Sequence, residues 1–514
     1  MYDHMFRNAL VVDGSGEEPY RANVAIFGDR IAFIGKEGIT RAKNVVDASS
    51  FVLTPGFIDM HTHTDLQVLR DRDMKAKVHQ GILTDVSGNC GIGVFPDSGE
   101  ALHTAVEDVL GVYDSWSWKS YGDYRSLLLS DGIGINEAFL VSHTALRYAV
   151  LGPEAGREAS DDEISRMCSL LDELLDAGLW GFSSGLYYSP CLFASEKELL
   201  ALLGVVRRHD KLFAVHHRCE GNDVIASLGE VLSLAEKSGV RLEISHLKAI
   251  GKDNQAKVPQ MLGMIEEARK RSVDVKADQY PYAYGSTSLF SLLPPHILGL
   301  SRFEQRLALS LESEREELKD EIIHPSGWDS VYEMVGPDDI RVLYLESHKE
   351  CNGRTLSEIG KDRGKDALDA LFDLLSEETG LAVMTDVTQS DESLRMIMKH
   401  PLVSFGTDAL YSSPMPHPRS YHSTVEYLSR YVVGEHLMTL SEAIRKMTGE
   451  NADKLGLKDR GYVREGYKAD LVLFDPDKLE ADGDYNKGFE AIMISGKPSL
   501  MNGKWYYPRA GEVL

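Results

Sequence analysis

Cysteine is scarce: five residues in 514, at positions 90, 168, 191, 219 and 351, odd in number and without a CxxC pair. That excludes a disulfide framework and points to a reducing compartment. Long apolar runs are missing as well. No stretch reaches the roughly 18 apolar residues of a membrane helix, and the first residues lack a basic segment followed by an apolar core, so a soluble, cytoplasmic protein is expected. Positive charge is in deficit, with 55 Lys plus Arg against 80 Asp plus Glu and a formal charge of -25. Such a surface repels phosphate backbones and anionic membranes, which removes nucleic acid and membrane as partners. Apolar residues still make up 43%. At this length, beyond the roughly 250–300 residues of one compact core, the chain should hold one large domain with additions.

Both chain ends read as short strands. Residues 9 to 51 carry apolar alternations broken by turn residues, with Gly28-Asp29 as a hairpin signal, and the last fifty repeat that style. Neither end can bury its apolar faces alone, so residues 1–53 and 462–514 should pack together as one small β-sandwich domain. Between them, over 54–461, eight strand-like runs alternate with helical text: 56–61, 82–87, 137–143, 180–185, 212–217, 242–246, 272–278 and 402–408. This predicts an α/β protein built on a parallel (β/α)8 barrel of TIM type, whose active groups gather where strands end. The run 381–386 is left out of that count. A segment at about 291–348, opened by Pro294-Pro295, interrupts the rhythm between the seventh and eighth strands and predicts an inserted cap.

Several polar residues fall at the carboxyl ends of these strands. His61 and His63 close the first, one residue apart and hence on one face; Cys90 follows the second; His216 ends the fifth, His246 the sixth and Asp408 the eighth. In a barrel they converge, which is how imidazole, thiolate and carboxylate assemble a Zn²⁺ site. Singly, each is more often a hydrogen-bonded structural group. Cys90, between Asn89 and Gly91, sits in a turn able to present its sulfur. The other cysteines, and His79, His103, His209 and His400, lack such company and are expected to be inert.

The stretches P-G-F-I-D-M-H-T-H-T-D, G-N-C-G-I-G, G-F-S-S-G-L-Y-Y-S-P, I-S-H-L-K-A-I-G-K, D-Q-Y-P-Y-A-Y-G-S-T, H-P-R-S-Y and G-Y-K-A-D-L-V-L-F-D-P span nearly the whole chain. Together they resemble the N-acyl-D-amino-acid deacylases (D-aminoacylases) of the amidohydrolase superfamily. The resemblance implies a tightly bound zinc on Cys90, His216 and His246. It also implies a second, weaker metal position near His61 and His63, bridged by Cys90. Many superfamily members bridge two metals with a carboxylated lysine after strand four; here that strand ends F-S-S-G, and Cys90 would fill the gap.

The activity implied is hydrolysis of the amide of a small-molecule N-acyl-D-amino acid. Zinc would lower the pKa of its water towards about 7, with Asp408 as base and then acid. Lys248, Arg419, Tyr188, Tyr282 and Ser286 lie in the stretches that would hold the substrate's α-carboxylate, Arg419 foremost because a guanidinium fork suits a carboxylate. Tyr187 is an alternative to Tyr188, and His143 and Arg147 should play a supporting role. Cyclic amide hydrolysis of the dihydroorotase or hydantoinase kind competes, although those relatives usually carry the strand-four lysine. A silent scaffold would require a lost ligand or a lost Asp408, and none is lost. A homo-oligomer is left open.

Overall fold

A computed structural model of the chain describes all residues except 37–40 and 484. Eight strands form one parallel sheet: β1 (Phe57–Asp59), β2 (Ile82–Ser87), β3 (Asn136–Ser142), β4 (Gly181–Gly185), β5 (Leu212–His216), β6 (Arg241–Ile244), β7 (Val275–Gln279) and β8 (Val403–Phe405), in that spatial order. The ring closes through a Thr62–Ala409 bridge and the Met60 amide donating to the Phe405 carbonyl at 3.4 Å. All eight expected strands are present. Strands such as β5 (L-F-A-V-H) read as short apolar runs rather than alternations because both faces are buried, one in the barrel and one under a helix, whereas β4 (G-F-S-S-G) and β7 (V-K-A-D-Q) carry polar residues.

Helices such as Asp161–Asp176, Glu196–Arg208, Val224–Ser238 and Val258–Lys270 cover the barrel. Ser160 and Glu163 cap the first of these reciprocally, and Ser195 caps the second, satisfying amides that a helix start leaves orphaned. Their inward Leu, Val, Ile and Met side chains merge with the strands into one core. Fully burying each such side chain is worth about 1.5–3 kcal/mol.

The two chain ends do share one sheet. Strand Val52–Pro55 pairs with Tyr2–Val11 on one side and with Leu471–Phe474 on the other. Leu471 and Leu473 enter a cluster with Phe6, Val24, Ile26 and Met493, whereas Val472 and Phe474 join the barrel core. Alternate residues thus serve two cores, and residues from both ends surround the first, so the sheet curls about it.

The excursion between β7 and β8 is larger than the 291–348 expected. It includes an antiparallel sheet of Tyr284–Ser288, Ala382–Val387 and Ile340–Leu345, and has its own core around Leu289, Phe290, Leu309, Ile322, Leu371 and Met384. The run 381–386, left out of the barrel, is the central strand here. Its partner strand Tyr284–Ser288, spelled Y-G-S-T-S, carries few apolar residues and is defined by its pairing rather than by an apolar pattern. Among the described residues no helix is long and apolar enough to cross a membrane.

Candidate metal centre and substrate cavity

The carboxyl ends of β1, β2, β5, β6 and β8 bring His61, His63, Cys90, His216, His246 and Asp408 to one place. Cys90 Sγ lies 3.3 Å from His61 Nε2, 3.4 Å from His246 Nε2 and 3.9 Å from His216 Nδ1. His63 Nε2 is 3.3 Å and His61 Nε2 3.5 Å from Asp408 Oδ1. Zn–S and Zn–N bonds of about 2.3 and 2.0–2.1 Å place tetrahedral ligand atoms about 3.5 Å apart, so these spacings suit donors around a cation. Three overlapping groups could hold one: His61, Cys90 and His246; His61, His63 and Asp408; His216, Glu220 and His246.

Local backbone explains the convergence. Cys90, His246 and Asp408 all adopt the left-handed region, with φ of 53°, 34° and 51°. Non-glycine residues there are uncommon, and such conformations concentrate at functional sites. The turn presenting Cys90 needs glycine on both sides: a Cβ on Gly88 would meet the Leu140 carbonyl at 2.5 Å, and one on Gly91 the Gly185 amide at 2.6 Å. After β8, the amide of Asp408 donates to the His61 carbonyl at 2.7 Å, which ties the two ends of the barrel together at the site.

Two carboxylates that the sequence reading did not single out orient the imidazoles. Glu220, four residues after His216, lies 3.4 Å from His216 Nε2 and 3.1 Å from His246 Nδ1, so both rings turn their other nitrogen towards Cys90. Asp278, at the end of β7, is 3.3 Å from His61 Nδ1 and accepts the His246 amide at 2.8 Å. A carboxylate behind a ligating histidine fixes its tautomer and raises its basicity. The available signals were H-H-R-C-E for Glu220 and the strand-end position of Asp278.

Electrostatics follow from this packing. Burial opposes ionisation of Cys90, but His61 and His246 bring its thiol well below the usual value, towards thiolate. Burial likewise works against Asp408, yet Arg419, whose Nη1 is 2.8 Å from Oδ2, and His63 hold its carboxyl well below the ordinary carboxylate range.

The adjoining cavity is lined by Tyr187, Tyr188, Lys248, Tyr280, Ser286 and Arg419, among others. Of the residues expected to hold a carboxylate, Tyr188, Lys248, Ser286 and Arg419 are therefore present. Tyr282 is not. It packs against Tyr284 and His417 outside the cavity lining, and Tyr280, two residues earlier across Pro281, takes the position. The spelling Y-P-Y cannot distinguish the two. Tyr187 and Tyr188 both line the cavity, with rings 5.7 and 4.9 Å from that of His216.

His143 and Arg147 lie elsewhere, bound to Glu198 at 2.8 and 2.5 Å. His79, His103, His209 and His400 are paired with Tyr507, Asp97, Asp172 and Glu266.

With this geometry in view, the chain was compared with known proteins. The model of the Amidohydrolase family matches residues 44–295 and 333–499. The chain belongs to the amidohydrolase family. A D-aminoacylase of Alcaligenes xylosoxydans xylosoxydans is 31% identical over 519 residues, covering 100% of this chain and 97% of its own. A solved D-aminoacylase described as having a binuclear metal center superposes on this amidohydrolase with a TM-score of 0.85, at 31% identity and full coverage of both chains. An N-acyl-D-glutamate deacylase of Bordetella bronchiseptica, solved with zinc and a phosphonate inhibitor, gives 0.83 at 29% identity, covering 100% of this chain and 99% of that one. This amidohydrolase is thus a metal-dependent enzyme type on a shared barrel, with its donor cluster at the barrel mouth.

Proposed function

We propose that this amidohydrolase hydrolyses N-acyl-D-amino acids to a carboxylate and a free D-amino acid, using zinc. The observation that carries the reading is a thiol driven towards thiolate among three imidazoles, beside the carboxylate Asp408, at one end of a cavity equipped to hold an anion. Cys90, His216 and His246 would hold the tight ion. His61 and His63 would serve a second, weaker position, with Cys90, 3.3 Å from His61 Nε2 and 3.4 Å from His246 Nε2, standing between the two sets. The chemistry supplied at such a centre is Lewis acidity, which acidifies water and polarises an amide carbonyl.

The chain's own residues do the rest. Asp408, ionised at neutral pH and reaching the cavity, accepts the proton of the attacking water and passes it to the departing nitrogen. Arg419 keeps it ionised and lends Nε, which has no hydrogen-bond partner among the described residues, to the α-carboxylate. Ser286 Oγ is likewise buried without a partner among the described residues, and together with the Tyr280 hydroxyl, which lies beside Thr388, it completes an anion-holding set. When His246 uses Nε2 as ligand, its Nδ1 carries the proton and bonds Glu220. Lys248 Nζ, 2.8 Å from both groups, then keeps Glu220 and has a donor to spare for substrate. Tyr188, its hydroxyl 3.3 Å from Thr287 Oγ1, stays protonated because burial raises its pKa, and offers a donor to the acyl oxygen.

The test is a panel of N-acetyl D- and L-amino acids with hydantoin and dihydroorotate, run beside metal analysis of the purified protein. Chelator-sensitive hydrolysis confined to the D series is expected. Turnover of the cyclic amides alone, or equal turnover of D and L substrates, would contradict the reading.

A further inference from the structure

One wall of the cavity is acidic and lacks a counter-ion. Asp386 lies on the central strand of the inserted sheet, opposite Gly285. Its neighbour Val387 faces solvent, whereas Asp386 is 4% exposed, lines the cavity, and forms no ion pair among the described residues, its carboxylate bonding only its own backbone amide. A Cβ built on Gly285 would meet Thr388 Cγ2 at 3.0 Å, the Tyr280 hydroxyl at 3.4 Å and Asp386 Oδ1 at 3.5 Å, so a side chain at this position would crowd both polar groups. Burial raises the Asp386 pKa to about 6, against the pull of Lys248 and Arg419, which leaves it mostly ionised above neutral pH.

Asp329 lines the same cavity, its Oδ2 accepting from the Gly221 amide at 2.9 Å and from the Cys219 thiol. Lys248 pairs with Glu220 and Arg419 with Asp408, each at 2.8 Å, so the two cations balance those two carboxylates. Asp329 and Asp386 are the excess. The cavity also has an apolar lining of Ile250, Val331, Met334 and Met384.

An amino acid whose α-carboxylate is held by Ser286, Tyr280 and Arg419 must send its side chain into the rest of this cavity, because both groups leave from one carbon. We propose that Asp386, assisted by Asp329, selects substrates whose D-amino-acid side chain is an aliphatic stem ending in a cation, the lysine, ornithine and arginine class. The stem lies along Ile250, Val331, Met334 and Met384, and the cation pairs with a carboxylate that otherwise stays buried and uncompensated. A carboxylate-tipped side chain meets like charge there. This inference rests on the deacylase reading.

The experiment compares kcat/KM for N-acetyl-D-lysine, N-acetyl-D-norleucine and N-acetyl-D-glutamate in the zinc-loaded wild type, in Asp386→Asn and in Asp386→Glu. The wild type should prefer lysine over norleucine by at least about ten-fold and leave glutamate last, since an unpaired buried charge penalises the wrong substrate. The lysine-to-norleucine ratio should fall by at least about ten-fold in Asp386→Asn, mainly through KM, and survive in Asp386→Glu. Norleucine or glutamate equalling lysine in the wild type, or an unchanged ratio in Asp386→Asn, would overturn the inference while leaving the deacylase reading standing. Failure to hydrolyse any of the three would overturn both. Should the asparagine variant not fold, the wild-type ranking alone decides.

Discussion

At the scale of residues, function depends on which atoms each histidine turns inward. His61, His216 and His246 each have one nitrogen near Cys90 and the other near Asp278 or Glu220. Removing the sulfur should cost the ion itself: Cys90→Ser is expected to retain far less than the wild-type metal after dialysis, measured by elemental analysis. Asp408→Asn should keep its metal and lose about 10²–10⁴ in kcat, the usual worth of a positioned acid–base group. Arg419 offers a sharper check. Its guanidinium depresses the Asp408 pKa, so Arg419→Met should raise that pKa and move the acid limb of the pH–rate profile upward. An unmoved limb would show that another group sets it.

The convergence of the imidazoles and the thiol was legible from the sequence because they stand at strand ends in a repeating pattern. Glu220 and Asp278 were not, because a carboxylate near a histidine is ordinary text until the rings' far nitrogens are placed. Tyr280 was missed for a related reason: Y-P-Y puts two identical side chains on either side of a turn, and only the turn's geometry decides which faces the cavity. Asp386 lay in a run recognised as strand-like and kept out of the barrel count, but nothing in its spelling says that its carboxylate is buried and unpaired.

At the scale of elements, the loops after β1 and β8 are braced from behind. Lys77 is fully buried and bonds Asp59, Thr62 Oγ1 at 2.8 Å and Asp85 at 3.3 Å, while Asp59 Oδ1 accepts the Thr407 amide at 2.8 Å. Thr62 faces this cluster while its neighbours His61 and His63 face the site, which is the alternation expected of an extended H-T-H. Lys77→Met should leave two carboxylates buried without their cation and destabilise the fold by about 3–5 kcal/mol in denaturant unfolding. Loss of under about 1 kcal/mol would show that the cluster braces nothing. Most barrel strands were readable because doubly buried strands appear as short apolar runs, and the more polar β4 and β7 through their alternation with helical text. The inserted sheet was only half visible, since strand pairing rather than apolar pattern defines Tyr284–Ser288.

At the scale of the whole molecule, the barrel fixes the centre, the inserted sheet supplies Ser286 and Asp386, and the curled sheet joins the two chain ends beneath the barrel core. Potential donors from five strands, distant in sequence, meet in one place, so an ion held there should stabilise the folded chain over the unfolded one. Stripping the metal should lower Tm, and added zinc should restore it in a concentration-dependent way, as expected for a ligand that binds only the folded state. The most direct test is zinc-edge X-ray absorption of the purified, active enzyme. One sulfur at about 2.3 Å with nitrogen or oxygen neighbours at about 2.0–2.1 Å is predicted, the sulfur vanishing in Cys90→Ser. A shell of nitrogen and oxygen alone in the wild type would contradict the account.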